Sequence, residues 1–80
     1  MQVKILNKAM KDLSKIDKSQ ALKILKSIEH LSNYPDITNI KKLQNHNPTY
    51  RLRVGNYRIL FDIENNVIVI GRIKHRKEAY

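Results

Sequence analysis

Apolar residues recur along this chain in two rhythms, and the places where one gives way to the other mark its elements. Val3 and Ile5 flank Lys4 in Gln2 to Leu6, the period-two pattern of a short strand. Ala9, Met10, Leu13 and Ile16 then recur at three and four, which predicts a helix over about Lys8 to Ile16 capped by Asn7. Asp17 and Ser19 offer a break and a new cap. Beyond them Ala21, Leu22, Leu25, Ile28 and Leu31 trace a second stripe, so the two segments form a helical hairpin. Tyr34 and Pro35 end it, because the residue before a proline is pushed out of the helical region. Ile40 to Gln44 reads as a second strand, and Asn45, Asn47 and Pro48 as loop.

Alternation then returns. Thr49 to Val54 and Tyr57 to Ile63 are strand-like runs joined by Gly55 and Asn56, a pair suited to two-residue hairpin turns that require positive φ. Asn65 and Asn66 mark another tight turn before Val67 to Ile73. The order predicts an α+β fold: an N-terminal strand, a helical hairpin, then an antiparallel β-meander with the helices packed on one sheet face. Residues 1–80 are expected to form a single domain.

The turn sorts the side chains. With Gly55 and Asn56 as its two residues, Val54 faces Tyr57, Arg53 faces Arg58 and Leu52 faces Ile59. Leu52, Val54, Tyr57, Ile59, Phe61 and Ile63 then share the helix-covered face, and Arg51, Arg53 and Arg58 the other. Like charges directly opposed in a ladder are destabilising, so this convergence makes physical sense if an anion binds between them. Phosphate suits it, since each guanidinium is a planar fork of donors matched to phosphate oxygens. The alternative is a solvated edge with splayed side chains.

Charge sharpens that reading. Sixteen Lys and Arg against seven Asp and Glu give a net charge of +9, a strong bias toward polyanionic partners, nucleic acid first. Lys41 and Lys42 near the second strand, and Arg72 and Lys74 near the last, are candidate RNA contacts. Lys4, Lys8, Lys11, Lys15, Lys18, Lys23 and Lys26 decorate the strand and hairpin as a solvated face. The chain has no cysteine, which excludes disulfides and thiolate metal sites, and its three histidines lack metal-ligand spacing; neither metal nor other cofactor is expected. Met1 to Leu6 is too short and polar for a signal peptide, and no apolar run nears the roughly 18 residues of a membrane span. A cytoplasmic location without membrane partners is expected. A core this small rarely yields more than about 3 to 5 kcal/mol, which makes a stabilising protein partner reasonable.

After the last strand, His75, Arg76, Lys77 and Tyr80 gather cations with a histidine and a tyrosine. Metal-free phosphodiester cleavage needs a group that deprotonates the attacking oxygen, one that protonates the leaving oxygen, and cations that hold the growing charge. His75, Tyr80 and the arginines carry suitable chemistry for that division of work, although a lone tail histidine is commonly a solvent-exposed bystander.

Tyr50-Arg51-Leu52-Arg53-Val54-Gly55-Asn56-Tyr57-Arg58-Ile59-Leu60, followed by Val67-Ile68-Val69-Ile70 and then His75-Arg76-Lys77-Glu78-Ala79-Tyr80, resembles the RelE/ParE toxin superfamily, and within it the RelE branch. The leading strand and helical hairpin match the same family in order and length. The resemblance implies a type II toxin: a ribosome-dependent endoribonuclease, or mRNA interferase, that cuts messenger RNA in the ribosomal A site by metal-independent 2′-hydroxyl attack. It also implies a cognate acidic antitoxin of RelB-like or other type in a toxin–antitoxin hetero-oligomer, with the ribosome, its rRNA and mRNA as further partners. By position, the family's paired basic residues fall on Arg51 and Arg53, its arginine after the turn on Arg58, and a tail arginine on Arg76. Its terminal tyrosine, proposed to activate the 2′-hydroxyl, falls on Tyr80, and His75 matches a histidine of many relatives. Arginine in place of the common lysines keeps the charge but removes proton transfer, because arginine does not deprotonate in proteins. The alternatives are a ParE-like DNA gyrase inhibitor and a degenerate member that only binds its antitoxin or RNA.

Overall fold

A computed structural model describes residues 1–33, 40–42 and 50–77. Its elements in chain order are β1 (Gln2–Ile5), α1 (Asn7–Ser14), α2 (Lys18–His30) with a 3₁₀ turn at Leu31–Asn33, β2 (Ile40–Lys42), β3 (Tyr50–Val54), β4 (Tyr57–Glu64) and β5 (Val67–His75). The α+β order matches the one expected from the alternation. The strands form one sheet in the order β1-β5-β4-β3-β2, antiparallel throughout except that β1 lies parallel to β5. A parallel neighbour cannot follow by a tight hairpin, and the intervening chain, helices included, supplies the crossover.

Both turns use the residues their backbone demands. Gly55 sits at φ 57° as the first central residue of the β3–β4 turn, where a side chain would be strained. Asn65 and Asn66 both take positive φ, 50° and 63°, the type I′ pattern that asparagine tolerates best among residues with a side chain.

Helix α1 departs from expectation at both ends. Its N-cap is Leu6, which makes no side-chain cap bond, rather than Asn7. The Leu6 N–H donates to the Ile70 carbonyl at 2.9 Å and the Leu6 carbonyl accepts from Met10 N–H at 3.0 Å, so the chain passes from sheet ladder to helix at one residue. The helix closes at Ser14 rather than Ile16. Lys15 and Ile16 bond back three residues, to Asp12 and Leu13, which tightens the last turn into 3₁₀ geometry. Asp17 caps α2 as anticipated, its carboxylate accepting from Ser19 N–H at 3.3 Å and Ser19 Oγ at 2.6 Å.

The core lies between the helices and one face of the sheet. Ala9, Leu13, Ile24, Ile28 and Leu31 close from above on Leu52, Ile59, Phe61, Ile68, Ile70 and Ile73. Tyr50 stacks on Phe61 at 5.5 Å between centroids. The α2 stripe runs through Ala21, Ile24, Ile28 and Leu31, a spacing of three, four and three, while Leu22 and Leu25, expected in it, are exposed on its flank. Met10 is likewise exposed.

Strand β5 changes parity midway. Leu60 pairs with Arg72 but its neighbour Phe61 pairs with Ile70, leaving Gly71 as the extra residue of a β-bulge. Ile68 and Ile70 face the core before the bulge, and Ile73 after it. Arg72 and Lys74 are thereby kept out of core positions. The strand also runs on to His75, past the expected end at Ile73. The readings made for Tyr34 and Pro35, for Leu43 to Thr49 and for Glu78 to Tyr80 fall outside the described residues.

Candidate functional site: a cationic sheet face

The face of the sheet opposite the helices gathers most of the basic side chains singled out above. Strand pairing sets Arg53 opposite Arg58 and Arg58 opposite Lys74, a row of three cations across β3, β4 and β5. One step along, Lys41 pairs with Arg51 and Arg51 with Leu60, so β2 adds a further cation beside the row. Arg76 joins from the end of β5: its N–H donates to the Asn56 carbonyl at 2.7 Å, which continues the ladder to the β3–β4 turn.

Electrostatics mark Arg58 as the centre. Partial burial, then the charges of Arg51, Arg53 and Arg76, push its guanidinium below the ordinary value. A guanidinium still cannot deprotonate at working pH, so the face keeps its positive field whether or not an anion occupies it. Chemically, such a surface has the donors to hold a phosphate diester and the charge to steady added negative charge on it. The arginines themselves offer no proton acceptor.

Two expected RNA contacts stand elsewhere. Lys42 pairs with Tyr50, which points into the core, so the register puts Lys42 on the side of the sheet away from Arg51. Arg72 is turned to α1: its Nε and an Nη donate to the two carboxylate oxygens of Asp12 at 2.8 and 3.1 Å. The same carboxylate accepts Ile73 N–H at 2.9 Å, on a stretch of β5 beyond its pairing with β1. Asp12 thus joins helix to sheet. Burial would raise its carboxyl, but the Arg72 and Ile73 hydrogen bonds and the Arg72 and Lys74 charges outweigh that and hold it below the ordinary carboxylate value.

Sequence reasoning missed Asp12, although a signal was present: it is the one acid of α1, beside Lys8, Lys11 and the following Lys15.

His75 likewise lies away from the arginine face. It pairs with Tyr57, meets that ring edge to face at 5.3 Å, and lines an open cavity of about 300 Å³ with Asp12, Lys15, Ile16, Tyr57, Arg72 and Ile73. That is the helix side of the sheet. His30 is exposed at the end of α2, and His46 and Tyr80 lie outside the described residues. Among the described residues no group of three or more His, Cys, Asp or Glu is placed to hold a metal ion, and no helix is long and apolar enough to cross a membrane.

The mixed five-stranded sheet with a helical pair on one face is shared with chains of solved antitoxin-toxin complexes. The family model for the ParE toxin of the type II system parDE matches residues 3–80. Toxin RelE3 of Methanocaldococcus jannaschii is 32% identical over 84 residues, covering 100% of this chain and 96% of that protein. The toxin of the RelB-RelE antitoxin-toxin complex from Methanococcus jannaschii superposes with a TM-score of 0.82 at 31% identity, over 96% of this chain and 94% of that one. An archaeal RelE-RelB complex from Pyrococcus horikoshii gives a TM-score of 0.77 at 27% identity, over 98% and 97% of the two chains. The chain belongs to the RelE/ParE toxin superfamily. Within it, this is a RelE-like toxin, and its homologues are seen in complex with RelB antitoxins.

Proposed function

We propose that this toxin is a ribosome-dependent mRNA interferase whose reacting surface is the arginine face. The observation that carries the reading is the convergence of Arg51, Arg53, Arg58 and Arg76 on a sheet face the helices leave uncovered. In the reaction the ribose 2′-oxygen attacks phosphorus, its proton passes to a base, and the bond to the 5′-oxygen breaks with a proton returned to that oxygen. The arginines hold the phosphorane charge. The base falls to Tyr80 by the family resemblance, since no arginine can take a proton. An open face on a small domain does not orient a flexible message by itself, and the ribosomal A site supplies that orientation. Lys41 and Lys74, on the same face by register, extend the contact toward RNA backbone.

The cognate antitoxin, as we read it, is an acidic segment that covers this face in a hetero-oligomer. Binding only the folded toxin, it stabilises it by about 4 kcal/mol at a thousand times its dissociation constant. A rise in melting temperature should therefore accompany neutralisation.

Primer extension on translated messages after induction tests the assignment. Cuts within codons of translated messages, absent from untranslated RNA, are expected. Gyrase-linked DNA breaks with intact messages would place the toxin with the gyrase inhibitors instead, and neither lesion, with antitoxin binding retained, would mark it as a binding-only member. On programmed ribosomes, Tyr80→Phe should lower the single-turnover rate; a full rate would put the base elsewhere.

A further inference from the structure

His75 is the one candidate of the catalytic set that the described structure sets apart from the arginines, and its hydrogen bonding says what it does there. Its Nδ1 accepts the backbone N–H of Lys77 at 3.3 Å. A backbone N–H can only donate, so Nδ1 carries no proton, and a neutral ring then has its proton on Nε2. The ring nitrogen able to accept is already engaged by the chain itself. The imidazole is seated by its edge-to-face contact with Tyr57, its cross-strand partner. Between His75 and Lys77 stands Arg76, whose own N–H is tied to Asn56. The ring on one side of the sheet therefore closes a short turn around the residue whose side chain serves the other side.

We propose that His75 is a positioning residue, not the general base: by holding the Lys77 N–H it fixes the Arg76 turn and keeps Arg76 on the arginine face. The proposal rests on the reading of that face as the reacting surface. Its physical content is local. Without the acceptor on residue 75, the ladder bond at Arg76 has no further hydrogen bond past it among the described residues to resist fraying, and the fourth guanidinium loses its registration with Arg58.

Asparagine and glutamine separate the two roles. The Asn carbonyl oxygen occupies the place of Nδ1 and bonds the N–H two residues on, as in an Asx turn, whereas Gln reaches toward the place of Nε2. Both lose the ring contact with Tyr57, so the difference between them isolates the hydrogen bond. With full-length toxin on programmed ribosomes, His75→Ala and His75→Gln should lower kcat by about tenfold or more, with KM within about twofold, since a misplaced group acts on the reacting geometry. His75→Asn should retain kcat within about threefold of wild type on the same grounds. In hydrogen-exchange NMR of the free toxin, the Lys77 amide should be protected in wild type and His75→Asn and exposed in the other two. If His75→Asn is as slow as His75→Ala while its Lys77 amide stays protected, the imidazole takes part in proton transfer and the proposal is wrong. Should the wild-type toxin cut no message, the reading of the arginine face fails separately. The amide measurement then stands alone, and equal protection in all four proteins would overturn the positioning role.

Discussion

The two faces of the sheet carry residues from the same strands, one position apart, and answer to different demands. On the helix side Leu52, Ile59, Phe61, Ile70 and Ile73 are removed from water and supply much of the driving force for folding. On the other side Arg58 stands opposite Arg53 and feels the charges of Arg51, Arg53 and Arg76, a grouping of like charges that opposes folding. A ladder arranged for stability alone would alternate signs at those positions. The lesson is that the cationic row is held in place by its neighbours' burial, and that folding and binding can be perturbed separately by substitutions at adjacent residues.

The largest effects should come from testing that separation on the arginine face and at its buried neighbour on β4. Arg58→Ala and Arg76→Ala should each lower cleavage on programmed ribosomes by about 10²- to 10³-fold, the usual consequence of losing one preorganised donor to a transition-state charge. Melting temperature should hold or rise slightly, since removing one cation relieves the repulsion around Arg58. Ile59→Ala, next along the strand and fully buried, should instead lose about 2 to 5 kcal/mol of stability. Chemical denaturation read alongside single-turnover rates would distinguish them. A collapse of melting temperature in Arg58→Ala would make the arginine structural and erase the contrast between the faces.

A smaller effect should appear at Asp12, which ties the helix layer to the end of β5. Asp12→Ala leaves the Ile73 N–H and the Arg72 guanidinium without that acceptor and should cost about 1 to 3 kcal/mol. The folded-state carboxyl is held below its unfolded value, so the unfolded chain binds the extra proton as pH falls. The Asp12 contribution is therefore complete above the unfolded value of about 3.9 and is lost as pH drops through the lower folded value. Urea titrations from neutral pH down to about pH 3 should show that loss in the wild type and a shallower one in Asp12→Asn. Identical slopes would mean that another carboxylate governs the acid limb.

The smallest test compares neighbours on β2. Lys41→Ala, on the arginine face by register, should weaken ribosome binding a few-fold at low salt, and less at high salt, where screening shortens to about 3 Å at 1 M. Lys42→Ala, on the other side of the sheet, should change it by less than about twofold. Equal losses would show that the contact wraps both sides of that edge.

What the sequence by itself determined is what short-range physics controls. Alternation around Gly55 and Asn56 placed Leu52 opposite Ile59 and Arg53 opposite Arg58, and the structure has both pairs, because a two-residue turn sets register and register sets face. The spacing of three and four found the two helices, and Asp17 with Ser19 found the second one's start. It did not settle which flank of α2 is buried: Ile24 is inside and Leu25 is not, a choice made by the sheet beneath.

Tertiary structure alone decided the rest. Nothing local says that β1 lies parallel beside β5, that Leu6 takes its place in the ladder instead of leaving Asn7 to cap, or that Asp12 crosses to Arg72, sixty residues on. The bulge at Gly71 is the clearest case. An uninterrupted ladder would carry the alternation of Ile68 and Ile70 on to Arg72 and Lys74 and bury two cations, whereas one extra residue resets the parity, keeps Ile73 in the core and takes His75 to the helix side. Pattern reading counts residues along a strand; where a strand gains a residue relative to its partner is settled by the packing of both, and that is why the arginine cluster was legible in advance and the place of His75 was not.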